Sequence, residues 1–543
     1  MKLNKLLIGT VLVVTLIVAA VFIQKHHRVN PQNVPKDTVV FALENEVATL
    51  DPVQIGDIFA FRVSAQAFEG LLELDDHGVV QPCVAERWTN NADFTTWKFT
   101  IRRGVKFHAV ASVGFASREV TASDVAFSLQ RSMLAASAAN FVLAGSVKGA
   151  ADFQAGKTPT VSGLRVIDDR TIEIDLAKPE ASFLHRLTNP YLAVFPREVV
   201  GKAGDNFGKT VVSGTGPYRV DTIGVTEITL SKNPDYWRKL GAAAPKKLVF
   251  RIIKNDSVRL LEMQNGRIDC MRLVPALVNA NVERNGSVLT LKGSLASAFT
   301  LSRVPTFSSY FVALNTERLK PELRKAMSLG VNRNEALNVV VNGIGRIRVG
   351  TVPEGCGGYR SPLSEDIFNL AAAKEAFAKA GSNGTNKIEL LVHEQDSTDV
   401  LGELLQNQLS AVGIKLEVKK LEFNTAIQRM IDGNFDAIAL SFQYVYSDPE
   451  PILRSCYHSS NIPAPNFWRL RSDEIDSMLD QLSSQSDANG LAFAAKIEQR
   501  VNEEAPAVFL YEMDNLFITK SLVLSGLHFT RLGVPLFWKV GGT

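Results

Sequence analysis

Few residue patterns in this chain have the types and spacing that chemistry needs. "AADFQAGKT" places Gly156, Lys157 and Thr158 as in a phosphate loop, but Ala151 stands where that motif needs its first glycine. Without that glycine the backbone amides do not gather readily around a phosphate. "GIGRIRVG" offers Gly343 and Gly345, yet Arg348 replaces the third glycine of a dinucleotide fingerprint. There is no G-x-S-x-G elbow and no H-E-x-x-H pair. Of eight histidines only His26 and His27 are adjacent, and the four cysteines, at 83, 270, 356 and 456, form no C-x-x-C pair. Their spacing leaves any disulfide pairing open, and simple buried thiols are the plainer reading. Neither an enzyme, nor a metal site, nor a cofactor is expected. What remains is "SFQYVYSDPEPIL", residues 441–453, with Phe442, Tyr444 and Tyr446 ahead of an Asp448-Pro449 turn. Such a cluster is either core packing or the wall of a ligand site.

The elements that carry this stretch favour the second reading. Strand "KIELLV", helix "DVLGELLQNQLSAVG", strand "IKLEVKKL", helix "TAIQRMIDG" and strand "FDAIALSF" follow one another, the pattern of βαβ units on a parallel sheet. In such sheets ligands sit beyond the carboxyl ends of strands, where 441–448 lies. "PELRKAMSLG" and "NLAAAKEAFAKAG" are helices with start and stop signals, the second capped by Asn369. The first half is more mixed. "DIFAFRVSAQAFEGLLEL" has helical spacing through Phe61, Ala65 and Phe68, "TTWKFTIRRG" alternates like a half-buried strand, and "GLRVIDDRTIEIDL" reads as a hairpin.

A chain of 543 residues with 46% hydrophobic and 21% charged residues is that of an ordinary globular protein. With 59 bases against 56 acids and no basic run after the N-terminus, nucleic acid is not an expected partner. Lys2 and Lys5 precede an apolar run from Leu6 to Ile23, with Val18-Ala19-Ala20 as a possible cleavage site. The run is also near the length that spans a bilayer, so residues 1–30 are expected to be a signal peptide or an N-terminal anchor of an exported, periplasmic protein. No other segment approaches spanning length.

Several stretches together resemble the solute-binding proteins of bacterial ABC importers, in the oligopeptide/dipeptide-binding class (family 5). They are "ATLDP" at 48–52, "AFEGLLELDDHGVVQPCVAERW" at 67–88, "WKFTIRRGVKFH", "VTASDVAFSLQR", "GTGPYRV" at 214–220, "KNPDYW" at 232–237 and "NGRIDC" at 265–270. "VALNT" at 312–316, "AAKEAFAKAG", "LQNQLSAVGIKLEV", "GNFDAIAL" and "EEAPAVFLY" continue the order almost to the end. The resemblance implies an α/β fold of two lobes, periplasmic-binding-protein-like (type II), with an extra mixed α+β subdomain inserted in lobe I. Lobe I would be 37–70, 206–298 and 517–543, the insertion 71–205 and lobe II 299–516, with hinge crossings near 298 and 516. It also implies a monomer that closes on a peptide or peptide-like solute and delivers it to an ABC permease and its ATPase. The alternatives are another solute (an opine, a sugar phosphodiester or a metal chelate) or an anchored sensor. By the same resemblance Asn45, Glu46 and Val47 would line the ligand backbone, Phe311 would stand near the cleft, and Phe442, Tyr444, Val445, Tyr446 and Asp448 would form the ligand loop. Peptide-binding members carry an Asp for the ligand's α-ammonium where this chain has Val445, so Asp448 or Glu46 would supply that charge, or the ligand lacks the ammonium.

Overall fold

The computed structural model describes residues 37–75, 78–286, 288–356, 359, 361, 367–381, 387–393, 398–444, 447–485, 487–521 and 523–542. The N-terminal segment expected to be a leader lies outside them, as do Val445 and Tyr446. Two large sheets organise the chain. The first has seven strands in the order Phe299–Val304, Asn515–Lys520, Cys270–Leu273, Thr38–Leu43, Lys247–Ile252, Glu227–Lys232, Tyr218–Ile223. Thr38–Leu43 is central and parallel to both neighbours, and five of its six residues are buried, as a strand covered on both faces requires. The second sheet has six strands, in the order Gly345–Ile347, Ala507–Met513, Ser308–Leu314, Ala437–Gln443, Lys387–Val392, Lys415–Lys420. Lys387–Val392 is parallel to both its neighbours, and the helices Thr398–Ser410 and Phe423–Ile431 make the crossovers. The βαβ reading of this half is the observed architecture.

A third sheet, of four antiparallel strands, lies within residues 85–175: Ala85–Asn90, Thr96–Ile101, Thr171–Asp175, Leu164–Asp168. Its helix Ala122–Ser132 starts where the Thr121 N–H donates to Asp124, 2.9 Å away. The same helix carries Arg131, whose guanidinium donates twice to the buried Asp51 carboxylate, at 2.7 and 2.6 Å. The Asp51-Pro52 turn is thereby tied to the inserted sheet by a bidentate pair.

One expected boundary is corrected. Phe299–Val304 was placed in lobe II, but it pairs along its whole length with Asn515–Lys520 in the seven-stranded sheet. The chain passes from one sheet to the other between Val304 and Ser308 and returns at Asp514. The two crossings are laced together: Arg303 Nε donates to Asp514 Oδ2 at 2.6 Å, and Thr306 Oγ1 to the Met513 carbonyl at 2.6 Å. Ser308–Leu314 is buried at every position, with Phe311 and Ala313 in the hydrophobic cluster on one face of its sheet and Tyr310, Val312 and Leu314 in that on the other.

Candidate functional site

The described residues of the 441–448 stretch do not act as one wall. Ala437–Gln443 ends with Phe442 half-buried, its ring 4.8 Å from that of Tyr444 and 6.1 Å from that of Phe467. Tyr444 is buried to 1% exposure, and its backbone N–H donates to the Phe307 carbonyl at 2.7 Å. Burial pushes its phenol well up, and its side chain lies against the buried Cys456 thiol. Asp448 opens the helix Pro449–Tyr457: its carboxylate accepts from the Glu450 N–H at 2.8 Å, and Pro449 takes the first helical position. The expected Asp-Pro turn is therefore a helix start.

Asp448 also faces the inserted subdomain. His185 Nε2 lies 3.6 Å from its carboxylate, and His185 Nδ1 lies 2.7 Å from Ser447 Oγ. Burial raises Asp448 to about 7, and the nearby Glu450 and Glu180 carboxylates push the same way against the capping N–H. Burial lowers His185 to about 4. Both residues line a small cavity of about 250 Å³ with Ser182 and Glu450. Beside it Ser182 Oγ donates to Glu450 Oε2 at 2.8 Å and the Ala181 N–H to the Ser483 carbonyl at 2.8 Å. These contacts bridge the inserted subdomain and the six-stranded half.

The other expected residues lie elsewhere. Phe311 is a core residue, 1% exposed, its ring 5.0 Å from that of Trp468 and 6.1 Å from that of Phe509. It offers no surface to a solute, because its strand is covered on both faces. Asn45 and Glu46 are exposed and Val47 is half-buried. Glu46 pairs with Lys254 at 2.7 Å, and Asp448 caps its helix through one oxygen, so each already has a partner in the protein.

A cavity of about 480 Å³ is assembled from segments far apart in the chain. Helix Ile58–Ala67 contributes Phe61, Ser64 and Ala65, and the hairpin Leu72–Leu74/Val80–Pro82 a second wall. The insertion adds Thr188–Pro190 and Ala193, the crossing adds Phe307, and a segment from Phe529 to Lys539 closes the far side. Helix Ile58–Ala67 starts at Asp57, whose carboxylate accepts from the Phe59 and Ala60 N–H groups at 2.9 and 2.8 Å. It also fixes the far wall: Arg62 Nε donates to the Gly533 carbonyl at 3.1 Å and Gln66 Nε2 to the Pro535 carbonyl at 3.0 Å. Buried Arg62 is compensated by Glu44, which also holds Arg272. Burial would raise the Glu44 carboxyl, but the two guanidinium groups outweigh it and hold it at about 2.

The cavity's carboxylates are committed. Glu69 is enclosed and accepts from Thr215 Oγ1, Tyr236 OH and Trp237 Nε1 at 2.8, 2.8 and 3.0 Å. Burial raises it against those donors and Arg238. Glu73 pairs with Arg238 at 2.7 Å. Of the 441–448 stretch, the described residues back onto this cavity without lining it. Gly78, a lining residue, lies so close that a Cβ there would be 3.9 Å from Ser447 Cβ and 4.0 Å from Phe307 Cζ. The cavity is not legible in the sequence because its walls come from segments scattered between Phe61 and Lys539. The one available signal was "AFEGLLEL", which was read only as a fold marker. Among the described residues no group of three or more His, Cys, Asp or Glu is placed to hold a metal ion, and no helix is long and apolar enough to cross a membrane.

Comparison with known proteins agrees with this architecture. The model of the bacterial extracellular solute-binding proteins, family 5 Middle, matches residues 79–464. Di/tripeptide-binding protein 1 of Pseudomonas aeruginosa is 24% identical over 523 residues, covering 92% of this chain and 94% of its own. The periplasmic oligopeptide-binding protein OppA of Salmonella typhimurium is 25% identical, covering 90% and 89%. Among solved structures, the periplasmic binding protein DppA from Helicobacter pylori, in complex with the peptide STSA, superposes with a TM-score of 0.75 at 22% identity, over 93% of this chain and 97% of that one. Two sheets joined by two laced crossings, an inserted antiparallel subdomain and a family match over most of the length lead to one assignment: the chain belongs to the bacterial extracellular solute-binding proteins of family 5.

Proposed function

We propose that this protein is the extracytoplasmic solute-binding component of an ABC importer, closing its two lobes on a peptide or peptide-like solute and presenting it to a membrane permease driven by an ATPase. It is a binding protein and not an enzyme. The observation that carries the reading is the 480 Å³ cavity at the junction of lobe I, the insertion and the Phe307 crossing. Lobe I here comprises the seven-stranded sheet, lobe II the six-stranded one, and the crossings at Val304–Ser308 and Asp514 are the hinge. A solute stabilises the closed form only by binding it better than the open form. The protein acts in the periplasm, as a monomer, and the ligand-loop role of residues 441–448 is indirect, through Phe307 and Gly78.

A second reading has one specific observation in its favour. Val445 stands where the peptide-binding pattern carries its ammonium-pairing Asp, and Asp448 and Glu46 each already have a partner in the protein. A solute without a free α-ammonium suits that arrangement. Thermal-shift screening of the refolded protein separates the two. A peptide present at about 100 times its Kd adds about 2.7 kcal/mol of stability and raises the melting temperature by several degrees. Di- to pentapeptide pools giving no shift, while another solute class does, overturns the peptide reading.

A further inference from the structure

Two cations in the cavity wall have no ion pair among the described residues: Lys539, whose Nζ lies 5.2 Å over the Trp538 ring, and, against the crossing, Arg531. It stands in the segment from Phe529 to Lys539, half-buried, with its guanidinium 4.9 Å over the Phe307 ring. Among the described residues its one hydrogen bond is a long one, Nη1 to the Glu354 carbonyl at 3.5 Å. Among the described residues no carboxylate lies within ion-pair distance of it. The acids whose field it feels are already taken: Glu512 pairs with Arg346 and, at 3.4 Å, with Arg348, and Asp514 with Arg303 at 2.6 Å. Burial and the like charge of Arg346 disfavour the Arg531 cation. The backbone beneath the guanidinium is kept bare by Gly355, where a Cβ would come within 3.2 Å of Nη2. A desolvated, uncompensated guanidinium is costly unless an anion arrives. A carboxylate is the natural occupant, because it accepts the guanidinium fork in two parallel bonds.

The lining is mixed, and its larger share is apolar. Phe61, Phe68, Leu72, Phe529, Val534 and Trp538 face the cavity, while Glu69 is held by three neutral donors and Glu73 is paired with Arg238. An anchoring charge beside an enclosed apolar surface selects a solute with an acidic head and an apolar body. We infer that the solute carries a carboxylate bound by Arg531, with an apolar body packed in the cavity behind it. This rests on the cavity being the solute site.

The test uses the full chain, unfolded and refolded to strip bound solute, and two probe panels measured by calorimetry. One panel is apolar tripeptides with free carboxylates, each beside its C-terminal amide; the other is C8–C12 alkanoic acids, each beside its amide. The expected result is that acids bind at least about tenfold tighter than their amides. Arg531→Gln brings that ratio close to one, and Arg531→Lys keeps part of it. The inference is overturned if wild type binds amide and acid equally, if Arg531→Gln leaves the ratio unchanged, or if no acid of either panel binds. Should alkanoic acids bind through Arg531 while peptides do not, the inference stands and the peptide reading falls. The wild-type ratio alone decides the matter if both variants misfold.

Discussion

Asp448 and His185 depart from their ordinary acidities in opposite directions, and the two departures nearly cancel. Asp448 rises to about 7 by burial, so between pH 4 and 7 the folded protein holds a proton that the unfolded chain has lost; this makes stability fall as pH rises. His185 falls to about 4 by burial, so between pH 4 and 6.5 the unfolded chain holds the extra proton, and stability rises with pH. Asp448→Asn, which keeps the helix cap, is expected to leave a melting temperature that climbs from pH 4 to 6.5. His185→Gln is expected to leave one that drops from pH 4 to 7. Parallel pH profiles in both variants would show that the two groups do not titrate as a buried contact. Residues of this kind were only half legible in the sequence. Spacing singled out Asp448 and Phe442, but the partner of Asp448 is 263 positions away, and Phe311 is sealed by a second face of packing that no local pattern reveals.

The loop "GTGPYRV" has a physical reason to be a signature. A Cβ on Gly214 would lie 2.1 Å from the Ala67 carbonyl oxygen, and one on Gly216 would lie 2.7 Å from the Ala67 carbonyl carbon. Helix Ile58–Ala67, which carries one wall of the cavity, therefore ends directly against this loop, and the Gly216 N–H donates to the Ala67 carbonyl at 2.9 Å. The buried His108 locks the loop from the other side, its backbone N–H donating to the Gly214 carbonyl at 2.8 Å and its Nε2–H to the Gly216 carbonyl at 2.9 Å. Gly214→Ala is expected to cost about 3 kcal/mol by overpacking. Urea unfolding would register this as a lower midpoint, and an unchanged midpoint would mean that the helix end yields freely. Elements with strong local signals were legible. Leu370–Lys379 starts where Asn369 caps it, its side chain accepting from the Ala372 N–H at 3.0 Å, and the hairpin Leu164–Asp168/Thr171–Asp175 is where alternation placed it. Phe299–Val304 was misassigned because its alternation says that it is a strand and not which sheet will pair with it.

At the scale of the whole molecule, the lobes meet at a place separate from the large cavity. Ser182–Glu450, Ala181–Ser483 and His185–Ser447 bridge the insertion and lobe II without forming part of its lining. Part of the closing free energy therefore comes from the protein itself. A variant carrying both Ser182→Ala and His185→Ala is expected to weaken solute binding on the order of tenfold by populating the open form. Small-angle scattering of the solute-free protein should show a larger radius of gyration. Unchanged affinity and radius would place all of the closing energy on the solute. The sheet order has a consequence for how the chain assembles. All six strands of the second sheet lie between Ser308 and Met513, so it can form from a contiguous run of chain. The first sheet cannot: Cys270–Leu273 and Phe299–Val304 both wait for Asn515–Lys520, more than two hundred residues downstream. Such long loop closures are slow. The second lobe can therefore complete its sheet from one run of chain, whereas the first lobe stays an open half-sheet until the returning strand slots between its two waiting neighbours.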